Sequence, residues 1–176
     1  EANQVVTSQA PSRLTLAATI QSNLSTALVQ RDRPEDAAEA EGLLRQAKDL
    51  REKVCKSPDH AEVTVSLHEM GLLLQRAGRL DEAERVLRDA LARRERVLPK
   101  EPILFASVAN NLALVLRDQG RLGDAQALLE RAGPIVTALG PGGQGRLPTG
   151  YLKRTLADVL RAKGETGEAE ATATEA

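Results

Sequence analysis

The chain has 176 residues, 24 Lys+Arg against 25 Asp+Glu, a single Cys, and only 1% aromatic residues. One cysteine excludes an internal disulfide framework. Balanced charge leaves no electrostatic footprint for nucleic acid, and no run of about 18 apolar residues is present to span a membrane.

Hydrophobic residues make up 41% of the chain, enough for a packed core, and Ala and Leu number 27 each. These are strong helix formers, and β-branched residues are comparatively few. The composition predicts an all-α, soluble, intracellular chain. No charged-then-apolar signal segment opens it, so the cytoplasm is the default location. It begins at Glu1 rather than Met, which points to a processed or excised piece of something longer.

Residues 1–12 are polar and end in Pro11-Ser12, which predicts a flexible N-terminal segment with Ser12 able to cap the first helix. From 13 to 176 a single repeat array is expected, in units of approximately 13–57, 58–99, 100–139 and 149–176. The first unit holds a helix from Leu14 to Arg31, a turn at Asp32 to Glu35, and a second helix bearing Ala40, Leu44 and Ala47. The second unit carries the apolar stretch Met70-Gly71-Leu72-Leu73-Leu74, then Gly78-Arg79-Leu80-Asp81-Glu82-Ala83, then Val86, Leu87 and Ala90 at helical spacing. The Gly turn recurs 42 residues later as Gly120-Arg121-Leu122-Gly123-Asp124-Ala125, between Leu112-Ala113-Leu114-Val115-Leu116 and Leu128, Leu129, Ala132. Inside that third unit, Gly133-Pro134 predicts a kink or break after Ala132. Residues 140–148 are rich in Gly and Pro and predict a flexible loop. A helix rather than a strand precedes this loop and no Gly-Lys-Ser/Thr follows, so it lacks the context of a phosphate cradle. The fourth unit repeats the theme at Leu156-Ala157-Asp158-Val159-Leu160 and Gly164 to Ala169. There Ala173 takes the place of Leu87 and Leu129, which makes the last helix weak: either a solubilising cap or a place where a longer array was cut. Pro58, Pro99 and Pro102 sit where one unit hands over to the next.

Small side chains recur where paired helices must approach: Gly71, Ala113 and Ala157 on first helices, and Ala40, Ala83, Ala125 and Ala169 on second helices. Large Leu residues beside them fill the remaining space. This pattern resembles the tetratricopeptide repeat, with Met70-Gly71, Leu74, Gly78, Ala83, Leu87 and Ala90 matching the family's large-small-apolar-Gly-small order. The 42-residue period, with Asn110-Asn111-Leu112-Ala113 and Ser57-Pro58-Asp59-His60, is similar to the kinesin-light-chain subclass. The usual aromatics of the family are replaced by Leu. The resemblance covers roughly residues 14–176 and implies a right-handed α-α superhelix, a solenoid of about four helix pairs.

The resemblance further implies that the first helix of each pair lines a concave groove for a peptide or partner protein. Helical phase then places Ile20, Asn23, Ala27, Gln30 and Arg31 on the inner face of the first unit. In the second unit it places Val65, His68, Glu69, Leu72, Gln75 and Arg76 there; in the third, Ser107, Asn110, Asn111, Leu114, Arg117 and Asp118; in the fourth, Tyr151, Arg154, Thr155, Asp158 and Arg161. Asn110 and Asn111 either contact a ligand backbone or form a hydrogen-bonding ladder between helices. Asn111 matches the position where chaperone-binding relatives hold a terminal carboxylate, but the Lys partners of that clamp are absent. Arg154 and Arg161 either meet an acidic ligand or pair with Asp158.

The catalytic inventory is poor. Cys55, His60 and His68 are the only thiol and imidazoles, with no evident oxyanion donor, and no set of three or four metal ligands has a recognisable spacing. Asp81, Glu82, Glu168 and Glu170 sit at helix starts, where they meet the positive end of the dipole. Arg85, Arg88, Asp89, Arg93, Arg94, Glu95 and Arg96 read as a mixed, solvated face. The expected function is therefore a non-catalytic scaffold or adaptor without cofactor, metal, membrane span, nucleic acid or small-molecule substrate. The alternatives are a self-assembling repeat module, or a regulatory domain of a larger enzyme or transcription regulator.

Overall fold

The computed structural model describes residues 2–31, 33, 35–55, 60–96, 102–139 and 146–174, without the side chains of 2–12 and 146–148. The described residues form eight helices and no strand: α1 (Ala2–Arg31), α2 (Asp36–Cys55), α3 (Ala61–Arg76), α4 (Leu80–Arg96), α5 (Pro102–Asp118), α6 (Leu122–Thr137), α7 (Arg146–Lys163) and α8 (Thr166–Thr174). They divide into two compact units, Glu1–Arg79 and Leu80–Ala176.

Helix α1 begins at Ala2, so Ser12 lies inside it and not at its N-cap, and the backbone of 2–12 is helical where a flexible lead-in was expected. Pro58, Pro99 and residues 140–145 of the Gly-rich stretch lie outside the described residues, and α7 starts at Arg146.

Helices α3, α5 and α7 end in the same way. Gly78, Gly120 and Gly164 adopt φ of +71°, +78° and +86°. At each, the glycine N–H donates three residues back, and the next residue's N–H donates five back: Arg79 to Leu74, Arg121 to Leu116 and Glu165 to Leu160, at 2.8–3.0 Å. Glycine takes this left-handed geometry without a Cβ penalty, and the bonds satisfy the last carbonyls of the helix. The first hairpin has no such glycine; Arg31 pairs with the buried Asp36 at 3.0 Å instead. His60 caps α3, its Nδ1 accepting from the Glu62 N–H at 3.3 Å.

In the first unit, α2 packs against α1 and α3. Ala18, Leu28, Ala40, Leu44, Ala47, Val63, Leu67, Met70, Leu73 and Leu74 form its core. Arg51 of α2 is only 5% exposed. Its Nη1 donates to Ser22 Oγ of α1 at 3.0 Å and to Ser66 Oγ of α3, with Glu62 at 3.4 Å and Glu69 at 3.9 Å. The Nη1 group finds hydroxyl acceptors on both neighbouring helices, whereas Nε, buried without a hydrogen bond, is offset only by the nearby Glu62 charge.

In the second unit, α5 packs on α4, α6 and α7, and α7 packs on α6 and α8. Ala83, Ala125 and Ala169 are fully buried, as are Leu87, Ala90 and Ala132. Ala113 and Ala157 are buried on the partner helices, which fits their role at close approaches. Phe105, the single Phe, is buried beneath Arg131, whose guanidinium sits 5.5 Å from the ring centre. Helix α8 buries only Ala169, and Ala173 is exposed.

Two expectations are corrected here. Helix α6 continues through Gly133-Pro134 to Thr137, with no break after Ala132. Arg94 is 1% exposed and belongs to the core, not to a solvated face.

A candidate ligand cleft between α5 and α7

Helix α5 turns Ser107, Asn110 and Asn111 to one side of its packed face, and α7 brings Tyr151 opposite them. With Ala106 at its floor, the resulting cleft has a volume of about 270 Å³. Tyr151 is 60% exposed, whereas Ser107, Asn110 and Asn111 are half-buried. Ser107 Oγ donates to the Ile103 carbonyl at 3.0 Å, which leaves its lone pairs for a ligand donor. Asn110 Oδ1 is buried without a hydrogen-bond partner. An amide in that state gains a bond if its χ2 rotates toward an arriving N–H group. The lining carries no ionised group, so this cleft grips through amides, a hydroxyl and one aromatic ring.

The other predicted groove residues fall on the same helices at several depths. Leu114 and Arg117 are half-buried on α5, and Arg117 pairs with Asp118 at 2.8 Å. On α7, Arg161 pairs with Asp158 at 2.6 Å, while Arg154 is exposed and pairs with no carboxylate among the described residues. Thr155 is buried rather than on the open face, because it lies in the stripe of Leu152 and Val159. In the first unit, Asn23 is exposed on α1, and Val65, His68, Leu72 and Gln75 are half-buried on α3.

A larger hollow of about 510 Å³ lies between α4 and α6, floored by Leu91, Leu112, Leu116 and Leu128. Its three arginines are already engaged: Arg88 with Glu84, Arg121 with Glu84 and Asp124, and Arg131 with Glu95. No free charge therefore faces a ligand there.

Sequence reasoning missed a polar ladder that ties each turn to the previous second helix. Arg79 donates to Glu41 at 2.5 Å, Arg121 to Glu84 at 2.6 Å, and Lys163 to Gln126 at 2.5 Å. Glu41, Glu84 and Gln126 each follow the small residue Ala40, Ala83 or Ala125, so the repeat alignment carried a signal for them. Burial alone would raise the Glu84 carboxyl, but hydrogen bonds from Arg88, Gln119 and Arg121 outweigh it and hold the pKa at about 2. Cys55 is shifted the other way: burial and the Glu62 charge push its thiol up against the opposing pull of Arg51. Thiolate is thus scarce at neutral pH, the opposite of an activated nucleophile. Among the described residues, no His/Cys/Asp/Glu group is arranged to hold a metal ion, and no helix is long and apolar enough to cross a membrane.

Known families account for this architecture. Tetratricopeptide repeat profiles match residues 16–96 and 105–132. The chain belongs to the tetratricopeptide repeat family. A crystal structure of BtubC (BKLC) from P. vanneervenii is similar at a TM-score of 0.74 and 22% identity, covering 90% of this chain and 61% of that one. Two crystal structures of a Podosopora anserina putative kinesin light chain with nearly identical TPR-like repeats are similar at TM-scores of 0.72 and 0.69. Their identities are 24% and 25%, over 98% and 97% of this chain and 80% and 79% of theirs. The tetratricopeptide repeats of this chain are thus of the kinesin-light-chain-like kind, and its fold class is the all-α tetratricopeptide solenoid. The chain spans less than two thirds of the BtubC chain's length. No curated protein matches it.

Proposed function

We propose that this tetratricopeptide array is a non-catalytic, cytoplasmic adaptor whose first helices hold an extended peptide or partner segment, with the α5–α7 cleft as one anchoring subsite. The fold is in general a protein–protein interaction scaffold. The observation that carries the finer reading is the neutral cleft of Ser107, Asn110, Asn111 and Tyr151. Amide side chains donate to and accept from a peptide backbone while tolerating varied side chains, and an exposed Tyr supplies contact area at low entropic cost. Arg154, one turn along α7 from Tyr151, adds an exposed cation beside a backbone-gripping surface. Asn23 on α1, Val65, His68, Leu72 and Gln75 on α3, and Leu114 and Arg117 on α5 extend the same kind of surface within their own units.

A displayed random-peptide library panned on the immobilised chain tests this reading. Enriched peptides are expected to bind the wild type and to lose at least about tenfold in affinity with Asn111→Ala plus Tyr151→Ala. Circular dichroism should confirm unchanged helicity. Peptides that bind both proteins equally, or no enrichment at all, would reject the cleft.

A further inference from the structure

We propose that a pocket in the first unit, between the C-terminal ends of α1 and α3, binds a small organic anion: a carboxylate or phosphate head on a short apolar body. Leu28 and Val29 of α1, Ala37 of α2, and Leu73 and Ala77 at the end of α3 form its apolar lining, and its volume is about 200 Å³. Leu28 and Leu73 belong to the buried core, so the pocket reaches down to the packed interior of the unit. Two guanidiniums complete the lining, from Arg33 in the α1–α2 turn and Arg76 in the last turn of α3. Both arginines are exposed, and among the described residues no carboxylate lines the pocket.

The charge of the ligand follows from what these arginines lack. Among the described residues, neither the Arg33 nor the Arg76 side chain forms a hydrogen bond or an ion pair. The arginines beside them do: Arg31 pairs with Asp36, and Arg79 and Arg45 share Glu41. Those carboxylates are therefore taken, and Glu35 and Glu39 neither line the pocket nor pair with either arginine. Nor is Arg76 needed to cap α3. The Leu73, Leu74 and Gln75 carbonyls already accept from the Ala77, Arg79 and Gly78 N–H groups at 2.9–3.0 Å. Two unneutralised cations against an apolar wall focus a positive potential that an incoming anion relieves. The size of the body follows from the volume, which lies below the roughly 300 Å³ at which pockets for drug-sized ligands begin. The lining also holds no amide or hydroxyl side chain, in contrast to the α5–α7 cleft. A peptide backbone would find no side-chain partner here except the guanidiniums, whereas a free acid brings no N–H group to satisfy.

Titration of the whole nitrogen-labelled chain with hexanoate and with hexyl phosphate, followed by amide NMR shifts at low salt, tests this. At least one of the two should saturate with a dissociation constant on the order of 0.5 mM and move the amides of Val29, Ala37 and Ala77. The tighter of the two identifies the head. Hexanamide, which lacks the charge, and acetate and inorganic phosphate, which lack the body, should bind at least about tenfold more weakly. Arg33→Gln and Arg76→Gln should each weaken binding at least about fivefold with unchanged helicity, whereas Arg85→Gln on α4 should leave it unchanged. Saturation by neither anion, equal binding of hexanamide, or indifference to both pocket substitutions would overturn the proposal. A blocked peptide ending in Leu that binds about tenfold more tightly than either anion would assign the pocket to a polypeptide end and equally overturn it.

Discussion

Arg121 and Glu84 meet at 2.6 Å, linking the α5–α6 turn to the second helix of the preceding repeat. The same Glu84 oxygen receives Arg88 of its own helix at 2.7 Å. Two guanidiniums and the Gln119 amide thus converge on one carboxylate.

Glu84 therefore predicts an acid-sensitive contribution to stability. Its folded pKa is about 2, well below the ordinary carboxyl value of 4.5. A depressed carboxyl stabilises the fold above its unfolded pKa, and that stabilisation is lost as pH falls from about 4.5 toward 2. Solvent screening keeps such a pair at about 1 kcal/mol or less. Urea denaturation of wild type and Glu84→Gln at neutral pH and near pH 2.5 should show the wild type losing more stability on acidification. Equal losses would mean that the carboxylate is indifferent to its three donors.

Arg51 carries a second prediction. It is the polar hub of the first unit, bonded to Ser22 and Ser66 and facing Glu62 and Glu69. Arg51→Ala should cost about 3–5 kcal/mol, because it leaves buried polar groups unpaired. Arg51→Met keeps the stem's packing and should recover part of that loss. Denaturant midpoints measure both. Glu69, whose carboxyl is already pushed up by burial against the opposing effects of Ser22 and Arg51, should shift further upward in Arg51→Met.

The buried arginines also show what was legible in the sequence. Small residues and Gly turns were readable, because the 42-residue period aligned them across units. Ala40, Leu44, Ala47 and Arg51 occupy one helical stripe, and Ala83, Leu87, Ala90 and Arg94 occupy its counterpart. Val136 fills the same place after Ala125, Leu129 and Ala132. Phase points inward at both arginines, whereas residue type points outward, and for Arg94 the expected solvated face follows residue type. The α5–α7 cleft was only half legible. Phase selects Asn110, Asn111 and Tyr151 individually, but their meeting depends on contacts between helices some 40 residues apart in the chain.

Two glycines predict opposite signs for the same substitution. Gly120 holds φ at +78°, so Gly120→Ala strains the turn and should cost about 1–2 kcal/mol although no atom blocks the new Cβ. Gly42 lies inside α2 with nothing within 4 Å of a Cβ. Gly42→Ala should add about 0.5–1 kcal/mol by raising helix propensity. Thermal unfolding of the two variants gives the comparison, and a shift in the same direction for both would contradict it.

Pro134 predicts a coupling between neighbours. Its missing N–H deprives the Glu130 carbonyl of a helical partner, yet α6 passes through. Two features permit this. Pro134 and Glu130 are exposed, so water can serve that carbonyl, while Ala132 and Val136 are fully buried on the opposite face. Gly133 also lacks the Cβ that would press on the proline ring in helical geometry. Pro134→Ala should therefore stabilise the chain by about 1–2 kcal/mol, the regained helical bond being partly offset by a freer unfolded chain. Gly133→Ala should destabilise when Pro134 is present and stabilise when residue 134 is Ala. A double-mutant cycle with these three variants measures the coupling. Additive effects would mean that Gly133 is not what lets the helix tolerate its proline.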